Sequence, residues 1–174
     1  MPNWNPLLIE ELKSAVQNDP FWSDFLARFI SGSSPYAIHL AIFVKPYLDL
    51  VLNGRKTIES RFSSRRIIPY ERVNSGDVVL LKESGGDIVG LCRIAYAWFY
   101  KLDIHSWQTI REEYTQALCA QDPDFWEKRK AASFATLMQL CQVHKISPIK
   151  ISKRDRRGWV CLHYSQQKLE GVEQ

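Results

Sequence analysis

Apolar residues recur at helical spacing twice before position 35. Leu7, Leu8, Leu12 and Val16 form one stripe behind Pro6, and Phe21, Trp22, Phe25, Leu26 and Phe29 crowd one side of a second stretch. Asn18-Asp19-Pro20 separates them: proline is tolerated in a first helical turn and the residue before it can cap the helix. Two short helices are therefore predicted, ended by Ser31-Gly32-Ser33-Ser34-Pro35. Exposed aromatics at this density need covering, either by the rest of the chain or by a partner such as a second copy.

The texture then changes. Residues 37–43 read as a strand, and Pro46 opens a short helix that Gly54 is placed to end in the left-handed conformation. A strand over 57–62 follows, then a basic loop over 63–73 that contains Pro69. Asn74-Ser75-Gly76 and Ser84-Gly85-Gly86 are turn signals, which predict strands over 77–82 and 88–98 joined as a hairpin. Trp107, Ile110, Tyr114 and Leu118 share one side of a predicted helix over 105–118, and Asp122-Pro123 starts another that runs to Lys130. Closing strands are predicted over 134–147 and 158–164, and a polar tail over 165–174. Short strands interleaved with helices predict an α+β chain, a small mixed β-barrel with peripheral helices. The expected division is a helical extension over 1–35, a main domain over 36–164 and the tail.

Composition adds bounds. With 174 residues, 45% hydrophobic and 24% charged, the chain can bury one sizeable core. No uncharged apolar run approaches a membrane span, and the N-terminus lacks a basic start before an apolar run. A cytoplasmic protein without membrane contact is therefore expected, with Cys92, Cys119, Cys141 and Cys161 as reduced thiols. The formal charge of +4 is uneven, because Glu10, Glu11, Asp19 and Asp24 outnumber Lys13 and Arg28 at the start. The body is the basic part, which favours a polyanionic partner.

One stretch carries a motif. Gly54-Arg55-Lys56-Thr57-Ile58-Glu59-Ser60-Arg61 fits G-x-K-x-x-E-x-R, just after a predicted helix ending in glycine. Further on, Gly76-Asp77 opens a strand and Arg157-Gly158-Trp159 opens the last one. In this order the three stretches resemble the ASCH domain family of the PUA-like group, over residues 37–164. The resemblance implies a PUA-like barrel, a cleft lined by the motif residues, and a role in RNA binding or RNA-linked metabolism. It does not account for the N-terminal helices.

In a strand, Glu59 and Arg61 share a face, and Lys56 falls on the other unless the chain bends before the strand. Arg61 offers a forked donor for phosphate or a base edge, Lys56 a point charge, and Glu59 an acceptor. A plain surface ion pair, contributing about 0–1 kcal/mol, is the bland reading of the same residues. Lys56, Glu59, Arg61, Lys82 and Ser84 are the expected lining of the cleft. If there is catalysis, Lys56, Glu59 and Arg61 are the candidates. Some small ASCH proteins are amidohydrolases of an acetylated cytidine nucleoside. Their motif lysine matches Lys56, but their nucleophilic threonine falls where this chain has Glu59. Thr57 is nearby but out of phase, and a later glutamate could correspond to Glu112 or Glu113. Other ASCH proteins resemble ribonucleases.

Positive charge concentrates further along. Lys145, Lys150, Lys153, Arg154, Arg156 and Arg157 are opposed only by Asp155, and Arg65 and Arg66 form a second cluster after the motif. Such runs bind phosphates with salt-sensitive, sequence-blind affinity. Tyr70, Trp98, Phe99, Tyr100 and Trp159 are the candidates for stacking on unpaired bases, though most aromatics in a small barrel are core. Cys141, His144, Cys161 and His163 lack the spacing of a zinc knuckle, and no metal is expected. No P-loop, G-x-S-x-G or dinucleotide fingerprint is present, so no cofactor is expected. The leading expectation is a non-catalytic RNA-binding module; the alternatives are a hydrolase of RNA or a modified nucleoside, and an interaction protein that uses the N-terminal helices.

Overall fold

The computed structural model describes residues 6–151 and 157–164. Two helices come first, α1 (Pro6–Val16) and α2 (Pro20–Ile30). Asp19 caps α2 by accepting the N–H of Trp22 at 2.9 Å, as the Asp-Pro pair predicts. Then come β1 (Ile38–Phe43), α3 (Tyr47–Leu52), β2 (Ile58–Ser63), β3 (Val78–Glu83) and β4 (Ile88–Lys101). The chain closes with α4 (Ile104–Leu118), α5 (Pro123–Glu127), β5 (Phe134–Ile149) and β6 (Trp159–His163).

The six strands form one sheet in the order β2-β5-β4-β3-β1-β6, curled into a half-barrel. All neighbours are antiparallel except β1 and β3, which run parallel across the α3–β2 crossover. β4 and β5 are longer than the hydrophobic pattern predicts, 14 and 16 residues, because they bend through irregular register rather than ending. Residue 142 sits at one of these bends, with Gln142 at φ 52°. The long pair carries the sheet through all three clusters of the core.

Two glycines are forced by geometry. Gly54 ends α3 at φ 77°, as expected, and aims the next residues back at the sheet. Gly76 has φ 91°, and a Cβ there would meet the ring of Tyr36 at 2.1 Å.

The first cluster joins α1 and α2 to one side of the sheet. Leu12, Val16, Trp22 and Leu26 pack with Leu40, Leu80, Leu91 and Ile146. The aromatic stripe on α2 is thus covered by the chain's own sheet, so the helices share a core with the barrel. The second cluster holds α3 against β1, β3, β4 and β5, and the third holds α4 and α5 against β2 and β5. Among the described residues, no helix is long and apolar enough to cross a membrane. All four cysteines are free.

Candidate functional site

The motif leaves α3 through Gly54 and is caught by α4 before it enters β2. The N–H of Lys56 donates to Leu50 O at 2.9 Å and that of Thr57 to Ala117 O at 3.1 Å. Lys56 therefore precedes the strand, which begins at Ile58, and strand alternation does not govern it. Its side chain turns inward and comes to the same place as Glu59. The Nζ donates to Leu118 O at 3.0 Å and lies 3.5 Å from Glu59 Oε2. Leu118 ends α4, where unpaired carbonyls and the helix dipole favour a cation. The ring of Tyr47 lies 5.5 Å from the Nζ.

Lys56 and Glu59 are only 2% and 6% exposed, so this is no ordinary surface pair. Burial pulls the Lys56 ammonium below the usual lysine value, and the Glu59 carboxylate opposes that shift without cancelling it. Arg61 extends the chain of charges, with its Nε 2.9 Å from Glu59 Oε1, although the N–H is not aimed at that oxygen.

The fork of Arg61 is not held out for a ligand. One terminal nitrogen donates to Ile42 O at 3.0 Å and the other to Gly158 O at 3.2 Å, and the guanidinium lies 5.1 Å from the Phe43 ring and 5.3 Å from the Trp159 ring. β2 and β6 are the free edges of the half-barrel, so Arg61 spans its open side from β2 to β1 and the start of β6. A Cβ on Gly158 would lie 3.2 Å from this guanidinium. The Arg-Gly-Trp stretch and the motif arginine thus belong to one contact.

Above the pair lies a cleft of about 430 Å³. Lys56, Glu59, Ser60 and Arg61 supply its polar base, Phe43, Tyr47, Phe62 and Phe125 its aromatic walls, and Lys128 and Arg129 its basic rim. The rim residues follow α5, and the sequence motif gives no hint of them. Arg129 donates to Phe125 O at 2.7 Å and stacks 3.7 Å over the Phe125 ring, which fixes it at the mouth. A short Pro-initiated helix with basic residues at its end is the signal that could have marked them.

Other expected residues lie elsewhere. Lys82 does not line the cleft: its Nζ donates to Glu83 O and Gly86 O, closing the β3–β4 turn. Ser84 is exposed in that turn; its N–H donates to Phe43 O at 2.8 Å, beside the cleft, but the residue is not part of the lining. Arg65 and Arg66 are exposed after β2, with Arg66 5.8 Å from the Tyr70 ring and 5.5 Å from the Phe134 ring. Lys150 and Arg157 are exposed; Lys153, Arg154 and Arg156 lie outside the described residues. Thr57, Glu112 and Glu113 are exposed and do not line the cleft. Among the described residues, no group of three or more His, Cys, Asp or Glu could hold a metal.

A second buried polar group is internally satisfied. Asp77 accepts the N–H groups of Ala37 at 2.9 Å and Asn74 at 2.8 Å, and its Oδ2 lies 3.2 Å from His39 Nε2. Burial pushes its carboxyl up, but these hydrogen bonds outweigh burial and leave it below the ordinary value. Gly76-Asp77 therefore reads as a structural knot behind β1 and β3.

No family model and no curated protein matches the sequence. Among solved structures the chain is similar to the ASCH protein of Zymomonas mobilis, at 14% identity and TM-score 0.59, over 78% of this chain and 95% of that one. A mutant form of that protein gives TM-score 0.61 at 14% identity, over 79% and 97%. A protein of Enterococcus faecalis gives 0.50 at 11% identity, over 83% and 99%. The architecture is an α+β half-barrel. More narrowly, the chain has the ASCH fold.

Proposed function

We propose that this chain is an RNA-binding module whose cleft takes one unstacked nucleotide of a single strand. The observation that carries the reading is the cleft of about 430 Å³ that joins a buried Lys56–Glu59 pair, aromatic walls and a basic rim. Each part has a use. A base spreads against Phe62, as unpaired bases do on aromatic planes. Glu59 and the Lys56 ammonium offer an acceptor and a donor to its polar edge, while Lys128 and Arg129 face the phosphate. Arg65, Arg66, Lys150, Arg157 and the segment between the last two would continue the backbone contacts. The resemblance of the motif to that of the ASCH family supports the same reading. Arg61 acts here as a positioning residue: it orients Glu59 and fixes the cleft floor.

A hydrolase acting on RNA or a modified nucleoside is the second reading, favoured by one observation. A buried lysine held below its usual proton affinity, 3.5 Å from a carboxylate, is suited to general base work. Among the described residues the cleft lining contains no threonine, which weighs against the amidohydrolase form and leaves a ribonuclease as the enzyme to test.

Fluorescence anisotropy of a labelled mixed-sequence single-stranded RNA, at about 50 and 200 mM salt, tests both readings. Micromolar or tighter binding that weakens steeply with salt, with the RNA intact on a denaturing gel, supports the module. Cleaved product that disappears in Lys56→Met moves the hydrolase to first place. RNA neither bound nor cut removes both.

A further inference from the structure

A second, smaller cavity of about 190 Å³ adjoins the cleft, and Arg61 and Phe62 line both. Its other walls include Tyr70, Phe134, Thr136 and Trp159, with Ile67 more than half exposed at its edge. Aromatic rings thus dominate it, and its volume is less than half that of the cleft. Trp159 is 3% exposed, yet its indole N–H has no hydrogen-bond acceptor among the described residues. Leaving a buried donor unmet is costly, and native proteins rarely do so without a reason. Tyr70 is also buried, held edge-on by Phe99 and Phe134 at 5.8 and 5.0 Å, so the walls are preformed.

We infer that this cavity is a second base subsite, and that the two cavities together hold two consecutive nucleotides of one strand. The inference rests on the proposed RNA reading and deepens it, because it names an oligonucleotide rather than a mononucleotide as the ligand. The chain-like ligand would pass over Arg61 and Phe62, with one base in the cleft and its neighbour against Tyr70 and Trp159. Arg61 is suited to that place, because its ties to Ile42 O and Gly158 O keep the partition fixed while its face remains partly exposed. The basic loop that carries Arg65 and Arg66 flanks this cavity through Ile67, Ile68 and Tyr70, where the strand's next phosphate would fall.

The test compares a pool of ribonucleoside 5′-monophosphates with a pool of 5′-phosphorylated mixed-sequence diribonucleotides, by titration followed in amide and indole ¹H–¹⁵N spectra. The Trp159 indole peak is assigned by its absence in Trp159→Phe, which keeps a ring in place. Expected are affinity at least about tenfold higher for dinucleotides, and movement of the Trp159 indole peak with dinucleotides but not with mononucleotides. Trp159→Phe should erase most of that advantage. If mononucleotides bind and dinucleotides gain nothing, or the indole peak stays still, the second subsite is wrong while the cleft stands. If neither these pools nor a longer RNA binds, the RNA reading itself fails.

Discussion

Two buried regions of this molecule were built by opposite means. Under α1 and α2 the buried centre is apolar, with Leu12, Trp22, Ile38 and Leu91 at 0–1% exposure, and polar contacts stay at its margin, where Arg93 lies 5.3 Å from the Phe25 ring and His144 3.2 Å from Asp19. Across the half-barrel, Lys56 and Glu59 are nearly as buried, yet both are charged and both face a cavity. The first region supplies stability directly, because apolar burial contributes about 25 cal/mol per Å². The second does not, since burying an ion pair costs about as much as the attraction returns, and apolar replacements are often neutral or better. A chain that already folds on its apolar clusters has no folding need for Lys56. The contrast with Lys82 is instructive, because that buried lysine is met by two backbone carbonyls of its own turn and faces no cleft. Buried charge beside open space is what separates a candidate site from a structural knot such as His39–Asp77.

The comparison breaks most visibly in the apolar region. Trp22→Ala should lower unfolding free energy by about 3–5 kcal/mol in urea titration, with RNA affinity of the folded protein unchanged. An affinity loss in folded Trp22→Ala would mean that the helices support the cleft after all. Next in size, Glu59→Gln should cost about 3 kcal/mol, because it leaves the Lys56 ammonium buried with only a carbonyl partner.

Replacing the whole pair, Lys56→Met together with Glu59→Met, sharpens the contrast by reversing the sign: stability should stay equal or rise. Its pH dependence follows from the lowered pKa. Between the folded value and 10.5, the unfolded chain binds more protons at Lys56 than the folded one does, so the parent gains stability as pH rises. Any advantage of that double variant measured at neutral pH should therefore shrink in alkaline buffer, and a gap that widens there would contradict the burial argument. The smallest effect belongs to Lys128→Ala on the exposed rim. Stability should move by less than about 0.5 kcal/mol, and the slope of log affinity against log salt should fall by about one phosphate contact.

The sequence made the local elements and the motif legible, because capping pairs, turn glycines and period-3.6 stripes act over a few residues. Asp19-Pro20, Gly54 and Gly76 each do in the structure what the chain pattern predicts. Long-range arrangement was not legible. Strand alternation set Lys56 apart from Glu59, whereas the turn after Gly54 and the end of α4 bring them within 3.5 Å. Arg61 reads as a ligand donor in the octapeptide, and only the meeting of β2 with β1 and β6 shows its donors given to backbone carbonyls. Lys82 and Ser84 were grouped with the motif, but Lys82 turns to the carbonyls of its own hairpin and Ser84 sits in the exposed turn. Lys128 and Arg129 were invisible because nothing local ties α5 to β2.

The central claim is that the buried Lys56–Glu59 pair serves a ligand and not the fold. The direct test measures RNA affinity and unfolding midpoint together for the parent and the double variant Lys56→Met/Glu59→Met, at neutral pH and about 50 mM salt. The account predicts binding at least about tenfold weaker in a protein whose midpoint is as high as the parent's or higher. Undiminished affinity in the double variant would contradict it.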